Sequence, residues 1–374
     1  MADLLKSFCS IPTAPFAEYR VVDFVRGFVA RRKNLSLRED RFGNLLIELR
    51  SRSRLPRWVF TAHMDHPGFV ATKMVDGRTL KAAFRGWVKA DYVQGTRVRF
   101  FDDLGEAAGI VTAATVADYD QRAVPHEVLV RIDRAVAPGA AGMFDQGTGR
   151  YRGGKFYCRA CDDLGGGAAC LAMLDRLIRR PPKSPVAVLL TRAEEEGFIG
   201  AIAACEHRTL LKKSDRVIAI ECSSEQAAAP QGAGVIIRVG DRASIFNSAL
   251  TYFLGQQAGE LKKGDRKFLY QRALMPGGVC EATVYDVYGY TAASLCVALG
   301  NYHNMDVKRK KIGPEYIDAG DWGNMVKLFV RLAEHGHEFK PGHGALKRRV
   351  LKRFRGLERF LTAPMGKSSG RASA

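Results

Sequence analysis

One stretch of the chain runs from a strand that must be buried straight into three acids. Val186-Ala187-Val188-Leu189-Leu190 is short, aliphatic and β-branched, and Pro181, Pro182 and Pro185 precede it. Such a run predicts a strand covered on both faces, as in a parallel sheet. Thr191-Arg192-Ala193-Glu194-Glu195-Glu196-Gly197 follows directly. The carboxylates therefore fall where the strand ends and the chain turns, through Gly197 and Gly200, into a helix predicted over 201–211. In open α/β sheets, ligand sites lie at the carboxyl ends of strands. Three adjacent acids there repel one another unless a cation or a proton compensates them.

The surrounding sequence continues this architecture, with one interruption. Further strand-like runs cover 58–62, 216–221, 234–239 and 294–299, and helical patterns cover 168–180, 245–260 and 320–336. Residues 1–35 read as an amphipathic helical region. Between about 70 and 155, short β-like pieces recur at 95–101, 108–113 and 127–132, punctuated by Gly, Pro and Asp. That segment predicts a small all-β domain inserted into an α/β body. The expected division is 1–69 and 156–340 for the two parts of the body, 70–155 for the insertion and 341–374 for a basic C-terminal tail. The 374 residues suffice for two or three such domains.

The net charge of +19 is unevenly placed. Residues 340–374 hold ten Lys and Arg against the single acid Glu358. About half of the basicity is thus a tail property and says little about the body. Leu346, Val350, Phe354, Leu357 and Leu361 line one face of the basic helix predicted there, and the end, Lys367 to Ala374, is predicted to be disordered. Such a helix can dock on its own body or a neighbouring subunit, or be drawn to nucleic acid or an anionic membrane. No aromatic interleaving or nucleic-acid module favours nucleic acid.

No stretch approaches the ~20 apolar residues of a membrane span. The first ten residues lack the pattern of a secretion signal. The eight cysteines sit in apolar contexts and are expected to be reduced core thiols, including the lone pair Cys158-x-x-Cys161. A cytoplasmic location is expected. His335, His337 and His343, beside the basic tail, read as surface residues.

Five strand ends or strand–helix junctions carry ligand-type residues: His63, Asp162, Glu195, Glu221 and His303. Mixed imidazole and carboxylate donors suit Zn²⁺, Co²⁺ or Mn²⁺ better than Ca²⁺ or Mg²⁺. One bridging carboxylate, two terminal carboxylates and two histidines supply the roughly six contacts that two ions need. Such a centre would neutralise the acids.

The chain resembles the tetrahedral and glutamyl aminopeptidases, dinuclear metallopeptidases of the wider co-catalytic zinc peptidase clan. The matching pieces are His63-Met-Asp65-x-x-Gly68-Phe69, Cys161-Asp162-Asp163-x-x-Gly, Glu194-Glu195-x-Gly197-x-x-Gly200-Ala201, Ile220-Glu221, Gly232-x-Gly234 with Asp241-Arg242, and Tyr302-His303. They occur in the family's order over roughly residues 10–337. The long β-like interval between His63 and Asp162 also matches, since the related carboxypeptidase branch has a short gap there.

The resemblance implies a mixed-sheet α/β/α phosphorylase/hydrolase-like catalytic domain with an inserted small β-barrel domain. It implies two divalent metal ions, zinc first, with cobalt or manganese as alternatives. Asp162 would bridge them, His63 and Glu221 would complete one site, and Glu195 and His303 the other. Asp65 would orient His63, and Glu194 would be the general base in removing N-terminal residues from peptides. Members often assemble as homo-oligomers.

Four departures stand out. His66-Pro67 replaces a usual acid, Leu164 a usual Arg, Glu196 a usual apolar residue, and Glu221 is often Asp. None removes a ligand type. Two other readings stay open: a same-fold hydrolase of another amide or a glycan fragment, and a non-catalytic binding protein that uses its tail.

Overall fold

The computed structural model describes residues 2–119 and 122–361. Two compact units divide the chain, Met1–Glu338 and Phe339–Ala374. The expected disordered end from Lys367 lies outside the described residues.

The first unit opens with helices α1 (Ala2–Cys9) and α2 (Tyr19–Ala30), then strands β1 (Leu35–Glu39), β2 (Leu45–Leu49) and β3 (Trp58–His63). The sequence suggested one helical region over 1–35. A loop through Pro12 and Pro15 splits it, because proline lacks the N–H that continues a helix. Next come β4 (Gly68–Met74), β5 (Thr79–Arg85), β6 (Arg97–Asp102), β7 (Gly105–Tyr119), β8 (Arg122–Ile132) and β9 (Ala141–Phe144). They close into a barrel in the order β4-β5-β8-β7-β6-β9. Phe69 is central to its core, with the rings of Phe84 and Phe144 each 5.3 Å away.

The chain then returns to the main sheet. Its elements are β10 (Arg150–Arg152), β11 (Lys155–Cys158), α3 (Leu164–Arg179), β12 (Val186–Thr191), α4 (Ile199–His207), β13 (Arg216–Ser224), β14 (Val235–Gly240) and α5 (Ser248–Gly264). After them come β15 (Tyr270–Leu274), α6 (Glu281–Val287), β16 (Thr291–Gly300), the short pair β17 (Met305–Asp306) and β18 (Lys311–Ile312), β19 (Glu315–Asp318) and α7 (Ala319–His335). The helix after the acids is shorter than predicted. Arg208 turns left-handed (φ +50°) while its N–H still closes on Ala204, which ends α4.

The sheet is mixed, in the order β1-β2-β12-β3-β13-β16-β19-β11-β10, with β14 and β15 on a branch from β16. All six residues of β12 are buried, as its composition required. β12, β3, β13 and β16 run parallel, so their carboxyl ends share one edge. Leu46, Val59, Leu189 and Val217 pack toward α4 and α6 on one face. On the other face lie α3, α5 and α7, where Phe60 meets Phe329. This is an α/β/α layering around a mixed sheet, accompanied by a closed barrel.

The barrel is pinned to the sheet body beside the strand edge. Tyr19 Oη donates to the carbonyl of Phe101 (3.0 Å) and Arg20 to that of Asp102 (2.8 Å). The Asp102 carboxylate in turn accepts two bonds from Arg134 and the N–H groups of Leu104 and Ala137. Those bonds, led by the guanidinium, hold the carboxyl down at about 2.

A folded-state value below the unfolded one stabilises the protein above about pH 3.9 and is lost as pH falls through about 2. Arg134→Ala should therefore cost about 1–3 kcal/mol at pH 6. Urea unfolding should show the gap between wild type and variant closing as the pH approaches 2; a pH-independent gap would discard the account.

Candidate metal centre

Strand register assembles the site. Thr191 of β12 lies opposite His63 of β3. β13 pairs with β3 through Ala219 and Thr61, so Glu221 emerges beside His63 at the same edge. The turn after β12 delivers Glu194 and Glu195, and the turn after β16 delivers His303. Asp162 arrives just ahead of α3, whose N-terminus Asp163 caps by accepting from the Gly166 N–H.

The Asp162 carboxylate stands between the two histidines. Its Oδ1 is 3.4 Å from His63 Nε2, and its Oδ2 is 3.8 Å from His303 Nε2. His303 Nε2 also lies 3.2 Å from Glu195, and His63 Nε2 lies 3.9 Å from Glu194. Two groups of potential ligand atoms result, His63–Glu194–Glu221 and Asp162–Glu195–His303, each with its donors within 4.8 Å of one another. All the predicted ligand residues thus converge. Glu194, predicted as a base, stands within ligand reach too.

Electrostatics sharpen the point. Burial, then the neighbouring Asp162, pushes the Glu221 carboxyl up to about 8. Burial also lifts Glu194 well above the usual carboxylate range, and Glu221 and Glu195 add to it. Burial works against the charged form of His303, yet Glu195 and Asp162 raise it to about 9. Acids and imidazoles alike are biased toward holding a proton, so the cluster is short of positive charge. Asp162 Oδ1 and Glu195 Oε1 are buried and accept no hydrogen bond among the described residues. Orphaned buried oxygens beside two imidazoles form a donor set that fits a divalent transition metal.

A second layer of groups holds these residues in place. Asp65 does more than face His63. Its carbonyl lies 3.1 Å from His63 Nδ1, while its carboxylate accepts the N–H groups of Glu194 and Glu195 at 3.0 and 3.1 Å. Glu18, fully buried, accepts the Ala193 N–H and pairs with Arg192. His66, the departure from the family pattern, is wedged between the Asp162 carbonyl (2.7 Å) and Asn304 Oδ1 (3.0 Å). Glu281 ties two of the strands together by accepting from Thr61 and Thr191.

Sequence reasoning did not single out Glu315, yet it is a main support of the site. It accepts the N–H groups of Cys161, Asp162 and His303 at 2.7, 3.1 and 2.9 Å. One buried carboxylate thus fixes the backbone of both Asp162 and His303. Its only sequence signal was an acid in the apolar stretch Ile312 to Ile317.

Glu196 also gains a role. Its Oε1 accepts the Gly86 N–H at 2.9 Å and its Oε2 lies 3.8 Å from Arg85. It fastens the acid turn to the end of barrel strand β5. Gly200 is required on the turn's far side, where a Cβ would meet the Arg192 carbonyl oxygen at 2.4 Å. The remaining candidates lie elsewhere: all eight cysteines are buried and unbridged, and His335 pairs with Glu338.

A cavity of about 1280 Å³ opens over the cluster, with Glu194, Glu195, Glu221 and His303 in its wall and Trp87 and Arg122 from the barrel side. An α/β/α sheet with this cluster at its carboxyl edge defines the class of a metal-dependent hydrolase. The model of the M42 glutamyl aminopeptidase family matches residues 43–311, and the chain belongs to that family. It is accordingly a peptidase, of a metal-dependent kind.

Solved structures agree on the fold. The TET1 peptidase of Pyrococcus horikoshii is 21% identical, with a TM-score of 0.72 over 89% of this chain and 98% of that one. A TET aminopeptidase from the archaeon Thaumarchaeota archaeon SCGC AB-539-E09 is 16% identical, with a TM-score of 0.74 over 89% and 96%. An endoglucanase of Thermotoga maritima is 18% identical, with a TM-score of 0.65 over 89% and 97%. No curated protein matches the chain.

Replacing Glu315 by Gln puts an N–H₂ group against backbone donors. Metal affinity, read by competition with a chromophoric chelator, should fall about 10–100-fold with the fold retained. Unchanged affinity would reduce Glu315 to a packing residue.

Proposed function

We propose that the protein is an aminopeptidase that uses two divalent metal ions to remove N-terminal residues from peptides. Zinc is the first choice, with cobalt or manganese as alternatives. The observation that carries this reading is the Asp162 carboxylate poised between His63 and His303, each with a glutamate beside it. In this reading His63 and Glu221 would hold one ion, Glu195 and His303 would hold the other, and Asp162 would contribute to both. Such ions supply Lewis-acid activation of water and of the scissile carbonyl.

The chain's own groups do the rest. Glu194 is buried, with its proton affinity raised. That suits a base that takes a proton from the attacking water at Oε2 and returns it to the leaving amine. Asp65 holds the backbone of Glu194 and faces His63, so acid turn and ligand keep one relative position. Residues 1–69 and 156–340 act as the catalytic domain and 70–155 as the insertion that walls the cavity. We further propose a cytoplasmic homo-oligomer; the Pyrococcus relative is described as assembling into a tetrahedron or an octahedral shell.

Glu194→Gln should lower kcat by about 10²–10⁴-fold on aminoacyl-anilides while metal content by elemental analysis stays. Loss of the metal instead would make Glu194 a ligand. Activity abolished by a chelator, restored by Zn²⁺, Co²⁺ or Mn²⁺, and absent on N-blocked peptides completes the test; cleavage of blocked peptides or of β-glucans would overturn it.

Lys89, Arg122 and Arg242 line the cavity and suit an acidic side chain at the substrate's N-terminus, the residue in the family's description. Glutamyl-anilide should be turned over roughly tenfold faster than leucyl-anilide, and Arg122→Ala should narrow the ratio. A preference for leucine would remove this assignment.

A further inference from the structure

The second unit carries helix α8 (Gly344–Leu361). Most of its sequence sorts by face, with Arg353 the one basic residue whose spacing falls within the apolar stripe. Leu346, Val350, Phe354, Leu357 and Leu361 follow a spacing of four, four, three and four residues and so fall on one stripe, with Phe360 at its margin. All six are exposed, from 37% at Leu346 to 78% at Leu361. Arg348, Lys352, Arg355 and Arg359 are spaced four, three and four apart and form a basic ridge opposite. Within the helix, seven Lys and Arg stand against the single Glu358.

Four occupants could cover such a stripe, and charge separates them. The body of this chain or of a neighbouring subunit, residues 1–339, carries a net charge of +10 and so opposes a cationic helix. A second copy of the helix would set one strongly cationic surface against another, which like-charge repulsion opposes. Nucleic acid would satisfy the ridge but leave six large apolar side chains in water, including two phenylalanines on the wrong face. An anionic bilayer satisfies both faces at once. Leu, Val and Phe enter the acyl boundary, while Arg and Lys extend along the helix toward lipid phosphates. No described helix is long and apolar enough to cross a membrane, so the contact is in the plane of the surface.

We propose that α8 is an interfacial anchor that docks the peptidase on membranes rich in anionic lipid. The helix lies flat, its apolar stripe down, with Lys347 and Arg349 flanking the stripe at headgroup level. Adsorption draws on two separable contributions, apolar burial and attraction to anionic headgroups, and only the second weakens with salt.

The test uses the full chain and vesicles of phosphatidylcholine with about one-third phosphatidylglycerol. Co-sedimentation is expected with these and not with neutral phosphatidylcholine, falling as salt rises. Phe354→Glu with Leu357→Glu should weaken binding at least tenfold or so, as should Arg348→Gln with Lys352→Gln and Arg355→Gln. Unchanged cleavage of a soluble anilide would show the body intact in each variant. Equal binding to neutral vesicles would overturn the proposal, as would binding that survives either set of substitutions. It would equally be overturned if a labelled single-stranded RNA bound more tightly than the vesicles, or if the helix variants changed only the oligomeric state.

Discussion

The parallel register of β3, β12 and β13 forces like charges together. Glu221 and the turn bearing Glu194 and Glu195 arrive at the strand end that carries His63. Asp162 is then packed between that histidine and His303. Buried carboxylates at such separations cannot all ionise without a counter-charge. The fold is therefore committed to a cation or to protons at one place. The raised proton affinities of Glu194, Glu221 and His303 express the same demand. The rest of the architecture works to keep the cluster from escaping it by rearrangement.

That restraint comes mostly from acids outside the candidate ligand set. Asp65, Glu18 and Glu315 each accept backbone N–H groups from the loops that carry the site, and Glu18 takes the Arg192 guanidinium as well. A carboxylate accepting several N–H groups is a strong local clamp, because each bond is charge-assisted. It also relieves loops that cannot complete their own hydrogen bonding. Ala193, Phe198, His303 and Asn304 are all left-handed, a conformation costly for residues with a Cβ. Such turns persist only where their surroundings over-determine them, as these clamps do.

The sequence revealed the parts of this arrangement that are local. An aliphatic run ending in Glu194 and Glu195, or in His63 with Asp65 two residues on, is visible without a fold. So was the mixed α/β body with a β-rich interruption, because strand and helix periods differ. What stayed hidden depends on long-range pairing. Glu315 acts on Asp162 from 153 residues away, and Glu281 on Thr61 from 220. No periodicity marks an acid that will end up beside distant N–H groups. Helix α6 and strand β15 escaped for a related reason, since short elements are defined by their packing rather than by their own pattern.

Three consecutive glutamates looked like an excess of one charge, and the local backbone explains why they are not. Residues 194–196 form a single 3₁₀ turn. With three residues per turn, successive side chains point about 120° apart. One acid therefore faces His63, the next His303, and the third turns away toward Gly86 and Arg85 of the barrel. An α-helical turn would crowd the acids more closely, and an extended strand would send alternate ones to the same side. The departure at Glu196 is thus a consequence of the same geometry: the third direction out of the turn leads to the Gly86 amide at the end of barrel strand β5, and a carboxylate can accept it where an apolar residue cannot.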